Sequence, residues 1–351
     1  MRRFDGSSPN VQPKKNFGME PTTTPPSTKR PLSLVRCFER HDALLLEGAL
    51  GERLKREYAL TPDPHVALAA FVRSEAGRHA LCELWQGYWQ TAVRYGLPFL
   101  ATTPTRRANR ERTRQAGEDE GLLRDCMTLL AGLKAGWERT PTYTGGLMGC
   151  KGDAYTGEGA LDEEDARRFH AWQADILADA GADFLYAGIM PTLPEALGMA
   201  RALAATCLPY IISFTLLDKG TLVDGTPLHT AIQHIDNRTE RPPLCYMTNC
   251  VHPDIVRKAL LQPVNRTELV RRRFQGIQAN AAPLEYAVMD NATSLLTSAP
   301  DDLAHGMLGL RELTAMKIFG GCCGTDGRHL EAIARRLSLR RSATPDSGTG
   351  A

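Results

Sequence analysis

Two adjacent cysteines end a short apolar run near the C-terminus of the sequence. Residues 315–325 read Ala-Met-Lys-Ile-Phe-Gly-Gly-Cys-Cys-Gly-Thr, which predicts a buried strand that stops at a site. The three glycines of this run let the backbone turn sharply and approach a ligand closely. Cys322 and Cys323 would then point into the space that the turn encloses. Two thiols alone do not make a zinc site, so a third ligand must come from elsewhere.

Cys250 is a third candidate, because it ends another short apolar run over residues 244–250. Three thiols at strand ends could converge on one metal ion, and thiolate sulfur is a preferred zinc ligand. The alternative is packing alone, since free cysteines are among the most buried residue types. Two polar residues flank Cys250. Asn249 could tune a thiolate through a hydrogen bond. His252 is either a fourth ligand or, because Pro253 follows it, the start of a helix.

Eight apolar runs that read as strands alternate with helical patterns along the chain. The strands are predicted over residues 42–49, 97–105, 143–150, 183–190, 209–216, 244–250, 276–280 and 315–325. Helical spacing is found between them, with Asp162 as one predicted N-cap and Thr192 to Glu195 as a capping box. Regular alternation predicts an α/β protein with a parallel sheet, and eight units favour a closed (β/α)8 TIM-type barrel. In such a barrel the three cysteines lie at the C-terminal strand ends, where active sites are built.

Asn249-Cys250, followed far downstream by the Gly-Gly-Cys-Cys-Gly run, resembles the zinc-dependent homocysteine S-methyltransferase family over residues 42–337. The resemblance also implies a (β/α)8 barrel, in which Zn²⁺ is the cofactor. By it, the zinc ligands are Cys250, Cys322 and Cys323.

The implied activity is methyl transfer from a small activated donor to a thiol. The donor would be of the S-methylmethionine, S-adenosylmethionine or betaine type, and the acceptor homocysteine, giving methionine. No catalytic residue beyond the metal is expected. The alternatives are a divergent member that acts on another thiol or alkyl group, and a non-catalytic relative that binds zinc or a thiol.

The sequence departs from this family at two strand ends. Family members commonly have Asp-Gly-Gly where this chain has Glu47-Gly48-Ala49, and many have a glutamate for the homocysteine amino group where this chain has Gly188. Glu47 could replace the missing carboxylate. Thr102 and Ser213 are further candidates for the pocket rim. The predicted substrate-binding residues are Glu47, Gly48, Asn249 and Asn280, the last at a position where the family often has an asparagine.

The composition argues against nucleic acids and membranes as partners. The 351 residues include 42 basic and 40 acidic side chains, for a formal net charge of +2, and no apolar run reaches the length of a membrane span. Nine cysteines without a secretory signal predict reduced thiols and a cytoplasmic protein. Small molecules, a thiol and a methyl donor, are therefore the expected partners.

The chain is predicted to be one barrel domain between two tails. Residues 1–31 and 341–351 lack apolar periodicity and are expected to be disordered, which leaves residues 32–340 for the barrel. A run of arginines follows the second predicted strand. It indicates either a phosphate site or, in the favoured interpretation, a solvated loop and helix start. These arginines are Arg106, Arg107, Arg110, Arg112 and Arg114.

Overall fold

Eight short strands form the centre of the protein. The computed structural model describes residues 32–282 and 297–343. Within them, each strand pairs in parallel with its sequence neighbours and the eighth pairs with the first, so the sheet closes into a barrel. The (β/α)8 prediction is therefore confirmed. The strands are β1 Leu44–Leu46, β2 Phe99–Thr102, β3 Thr142–Gly149, β4 Phe184–Met190, β5 Tyr210–Phe214, β6 Cys245–Val251, β7 Phe274–Ala279 and β8 Ile318–Gly321.

Helices surround the barrel and cover the outward faces of the strands. One helix begins as the sequence predicts at Asp162, whose side chain accepts from the Asp165 N–H. The helices are α1 Leu34–Arg40, α2 Gly51–Glu57, α3 Glu75–Arg94, α4 Arg110–Gln115, α5 Gly121–Lys134, α6 Glu163–Asp179, α7 Leu193–Ala205, α8 Leu228–Arg238, α9 Pro253–Leu261, α10 Glu268–Arg273, α11 Pro300–Gly309 and α12 Gly327–Ala343.

The strands read as continuous apolar runs because both of their faces are buried. One face packs with the helices in the main core. The other fills the barrel interior with large side chains, including Tyr143, Phe184 and Tyr186. Helix α1 adds Leu34 and Phe38 to this interior cluster, so it closes the end of the barrel opposite to the cysteines.

One predicted cap is wrong. Thr192 does precede helix α7, but its side chain makes no capping hydrogen bond, and Glu195 does not return to it. Glu195 instead accepts hydrogen bonds from the Lys151 N–H and from His170 Nε2. A tertiary contact to the neighbouring β3–α6 loop thus takes the carboxylate that the local pattern assigns to the cap.

The ends of the chain lie partly outside the described residues. The predicted N-terminal tail, residues 1–31, is outside them, and so are residues 344–351 of the predicted C-terminal tail. Helix α12 continues to Ala343. In the part of the chain that the structure describes, no helix combines the length and apolar character required to cross a membrane.

Candidate metal and substrate site

The three predicted cysteines meet at the C-terminal rim of the barrel. Cys250 is the penultimate residue of β6, and Cys322 and Cys323 directly follow β8, two strands away. Their Sγ atoms all lie within 4.8 Å of one another. A tetrahedral zinc ion with Zn–S bonds of 2.3 Å requires ligand sulfurs about 3.8 Å apart, so a small adjustment would fit the thiols to the ion. Three thiolates with an open fourth position are the donor set of a catalytic rather than a structural zinc site.

The backbone at Cys250 explains how its thiol reaches this cluster. Cys245 and Met247 face the barrel interior, whereas Tyr246 packs in the outer core. Strict alternation would therefore point Cys250 outwards. Its φ is +59°, in the left-handed region, and the ladder to β7 is irregular between Asn249 and Val251. This conformation, which costs of order 1–3 kcal/mol for a non-glycine residue, turns the thiol to the rim.

The glycines before Cys322 are required by close backbone contacts. A Cβ atom on Gly320 would lie 2.9 Å from the Glu47 carbonyl oxygen, and one on Gly321 would lie 2.3 Å from Thr325 Oγ1. Thr325 Oγ1 donates to the Cys322 carbonyl at 2.7 Å. Gly324, with φ of +78°, completes the turn that carries both thiols.

The thiols also interact electrostatically. Hydrogen bonds from Cys322 and Cys323 hold the pKa of Cys250 well below its usual range, with further help from Tyr155 and from the charge of Arg106. The hydrogen bonds to Cys250 raise the pKa values of the other two thiols. The directions of these shifts favour the negative charge on Cys250, with the other two thiols as donors to it.

Asn249 uses its side chain to hold the backbone of the site. Its Oδ1 accepts from the Ile189 N–H at 3.2 Å and from Ser213 Oγ at 2.6 Å. Ile189 has φ of +62°, which is an outlier for a β-branched residue. Asn280 Nδ2 donates to the Cys250 carbonyl at 2.8 Å, so this asparagine also contacts backbone at the rim. Substrate binding by both asparagines stays a prediction.

His252 is the N-cap of α9. Its Nδ1 accepts from the Asp254 N–H at 3.2 Å, as the helix-start interpretation predicts. Among the described residues, the group of side chains able to share one metal ion contains the three cysteines and not this histidine.

Glu47 directly follows β1 and is only 3 % exposed. Its carboxylate accepts from Trp85 Nε1 at 2.7 Å, from the Thr102 N–H at 3.1 Å and from the Thr102 hydroxyl. Burial raises the pKa of Glu47 to about 7, although the hydrogen bonds from Thr102 and Trp85 oppose the shift. Gly48 lies beside the Tyr88 ring, where a Cβ atom would be 2.9 Å from Cζ.

A cavity of about 220 Å³ lies over the cysteines. Glu47, Gly48 and Asn249 line it, as do Tyr155 and residues of the arginine-rich loop. A second cavity of about 150 Å³ adjoins it and shares Arg106, Arg107 and Tyr155 as lining residues.

The solvated-loop interpretation of the arginine run holds for only part of it. Arg110 and Arg114 are exposed, but Arg106 and Arg112 are half-buried. Sequence reasoning also missed Tyr155, whose phenol hydrogen-bonds the Cys250 sulfur. The available signal was its position in the Gly- and Asp-containing loop after β3, at the same rim as the cysteines.

A comparison with protein-family models identifies the family of this chain. The family model described as homocysteine S-methyltransferase matches residues 44–337. This chain belongs to the homocysteine S-methyltransferase family. The match covers both cysteine segments and all eight strands of the barrel. Membership of the homocysteine S-methyltransferase family makes the protein a methyltransferase and confirms the resemblance drawn from the sequence.

Solved structures of the Escherichia coli homocysteine methyltransferase MmuM share the fold. Its metallated form matches with a TM-score of 0.68 and 22% identity, its oxidized form with 0.68 and 21%, and its apo form with 0.62 and 21%. Each match covers 85% of this chain and 97% of the MmuM chain. No curated protein gives a significant sequence match.

Proposed function

We propose that this family member is a zinc-dependent S-methyltransferase that moves a methyl group from a small activated donor to a thiol. The observation that carries the proposal is the convergence of the three cysteine sulfurs at the rim. Cys250, Cys322 and Cys323 would hold the ion. Bound there, zinc would lower the pKa of a thiol substrate and so favour its nucleophilic form near neutral pH.

The methyl transfer needs no oxidant or reductant. The acceptor sulfur forms a bond to the methyl carbon, and the bond from that carbon to the donor's sulfonium or ammonium centre breaks. The electron pair of the broken bond stays on the donor, which leaves neutral, and the thiol proton goes to water. Orientation of the two reactants supplies much of the rate enhancement in such a displacement.

The residues of the chain would orient the reactants and organise the cysteines. The Tyr155 phenol contacts the Cys250 sulfur, and Asn280 holds the carbonyl of the same residue. Asn249 fixes the adjoining end of β4 through Ile189. A donor of the S-methylmethionine, S-adenosylmethionine or betaine type fits the family, and homocysteine, giving methionine, is the acceptor that membership suggests.

A thiol without an α-amino group is a second candidate acceptor. Gly188 stands where many family members have the glutamate for the amino group, and Leu147 Cδ1 would lie 2.8 Å from a Cβ atom at this position. Glu47 lines the cavity, but its oxygens already accept from Trp85 and Thr102. These contacts favour an acceptor that needs no ammonium partner.

Zinc analysis of cysteine variants tests the proposal. We expect about one zinc per chain in the wild type and near-complete loss in Cys250→Ser, Cys322→Ser and Cys323→Ser, because each removes a soft ligand. The exposed Cys207 supplies the matched control, Cys207→Ser, which should keep its zinc. A parallel screen of methyl donors against thiols, read by mass spectrometry of the methylated product, should give turnover only with metal. Full zinc occupancy in all three variants would refute the ligand assignment.

A further inference from the structure

The loop after β2 brings positive charge to the edge of the cysteine cavity. Arg106 and Arg107 line both this cavity and the smaller one beside it. Arg112 lines the smaller cavity as well. Of the described residues that line the smaller cavity, three are arginines and one, Asp153, is acidic. This small cavity, which we call the arginine cavity, is therefore electropositive and opens next to the three thiols.

The backbone that carries Arg106 is held in place from two sides. Thr105 Oγ1 donates to the Leu147 carbonyl at 2.7 Å, and the buried Gln173 donates to the Thr105 carbonyl at 2.8 Å. Gly149 allows the loop to approach β3, because a Cβ atom there would lie 2.7 Å from the Arg106 carbonyl oxygen. A guanidinium on a fixed backbone binds an anion with less loss of conformational entropy than one on a mobile loop.

The opposite wall of the arginine cavity is fixed as well. The Lys151 N–H donates to the buried Glu195 at 2.7 Å. Asp153 Oδ1 accepts from the N–H groups of Tyr155 and Thr156, each at 2.8 Å. The acidic side chain thus organises its own loop and presents Tyr155 between the two cavities.

We propose that the arginine cavity binds the carboxylate of a substrate whose sulfur reaches the cysteine cluster. Guanidinium groups bind carboxylates through short, charge-assisted and often bidentate hydrogen bonds. Gly188 offers no carboxylate to an amine, so the proposed contact with the arginines acts on the acid group of the substrate. This inference rests on the proposed S-methyl transfer, and it specifies the chemical class of the substrate.

Calorimetric titration of the zinc-loaded protein with matched thiols tests it. We expect 3-mercaptopropionate to bind at least about tenfold more tightly than 3-mercaptopropionamide, since only the former carries a carboxylate charge. The preference should shrink to within about twofold in Arg106→Gln and in Arg107→Gln. The exposed Arg114, on the following helix α4 and outside both cavities, gives the matched control Arg114→Gln, which should keep the preference. Equal binding of the two thiols, or a preference that survives both cavity variants, would overturn the inference.

A sulfur-free pair separates this inference from the proposed function. Propionate and propionamide are titrated into the metal-free protein, where the acid cannot bind zinc, and the acid should again be preferred in the wild type but not in Arg107→Gln. If the zinc-loaded protein bound no thiol at all, the S-methyl transfer proposal would fail, whereas this pair of ligands would still test the carboxylate site.

Repeating the comparison with a dimethylsulfonium propionate and its amide shows whether the methyl donor, rather than the acceptor, carries the acid group. Arg107 is exposed, so its variant should fold even if Arg106→Gln does not.

Discussion

The carboxyl group of Glu47 is buried, yet Trp85 and Thr102 donate three hydrogen bonds to it. Its pKa of about 7 in the folded protein lies above the value of about 4.5 for an unperturbed glutamate. The folded state therefore holds this proton more tightly than the unfolded chain does. The resulting stabilisation is fully present below about pH 4.5 and is lost as the pH rises through 7.

Glu47→Gln should remove this pH dependence. The glutamine oxygen can accept from Trp85 and the Thr102 N–H, while its NH₂ group donates to the Thr102 hydroxyl. Relative to the wild type, the variant should gain on the order of 3 kcal/mol in the free energy of unfolding between pH 5 and pH 8. Urea denaturation of both zinc-loaded proteins across this range measures the difference, with Glu39→Gln as an exposed control. A constant difference at every pH would contradict the shifted pKa.

Asn249 supports a second prediction. Asn249→Ala removes the acceptor of the Ile189 N–H and of the Ser213 hydroxyl, and the buried N–H would then cost about 1–3 kcal/mol of stability. Ser213→Ala loses the hydroxyl, with its contacts to Asn249 and Tyr186, but leaves the Ile189 N–H paired, so it should cost about 1 kcal/mol. Denaturant midpoints of the two variants rank the contacts. Equal losses would mean that the bond to Ile189 contributes nothing.

The β3–α6 loop depends on a buried pair that belongs to two helices. His170 on α6 is 1 % exposed and Glu195 on α7 is 0 % exposed, and the two contact each other at 3.0 Å. Glu195 also accepts from the Lys151 N–H at the start of this loop. Tyr155, which contacts Cys250, lies four residues further along. Two outer helices therefore position a residue of the site.

Glu195→Ala should loosen this loop without emptying the metal site. The Lys151 N–H loses its acceptor, so amide hydrogen exchange over residues 150–160 should become at least about tenfold faster, while the zinc content stays near the wild-type value. Asp162→Ala is the matched control, because it removes the α6 N-cap at a cost of about 1 kcal/mol but leaves the Lys151 bond intact. The same exchange rates in both variants would indicate general destabilisation instead.

The strands and the long helices could be read from the sequence, because each strand is a short apolar run buried on both faces and each long helix keeps an apolar stripe. The cysteines could be assigned to the rim because each cysteine segment lies at the C-terminal end of a predicted strand. The hydrophobic pattern did not predict where the backbone departs from regular strand or helix geometry. The left-handed backbone of Ile189 and Cys250 depends on contacts across β4, β5 and β6. Glu195 does not form its predicted cap and instead contacts His170, 25 residues away in α6.

The core is large compared with the cysteine cluster. Two clusters of buried side chains, one inside the barrel and one between the barrel and its helices, run through the described part of the chain. Small zinc modules unfold without metal because they lack such a core. A metal ion on the three thiols would join only β6 and the end of β8, which the ladder through β7 already joins.

Metal removal should therefore abolish activity before it affects the fold. Treatment with a chelator is expected to remove methyl transfer while the far-ultraviolet circular dichroism spectrum changes by less than about a tenth. The melting temperature should fall by a few degrees, because a bound ligand stabilises only the folded state. Readdition of zinc is the control for damage. Loss of most of the helical signal on chelation would show that the metal is structural.

The spacing of the three sulfurs has a redox consequence. Sulfurs within 4.8 Å need only a small movement to form a disulfide, and a Cys250 thiolate is the form that oxidises most readily. Three is an odd number, so oxidation of one pair leaves a single thiol, which cannot hold zinc alone. A protein stripped of its metal in air would thus be unable to rebind the metal until a reductant breaks the disulfide. The ion, while bound, would protect its own ligands from oxidants.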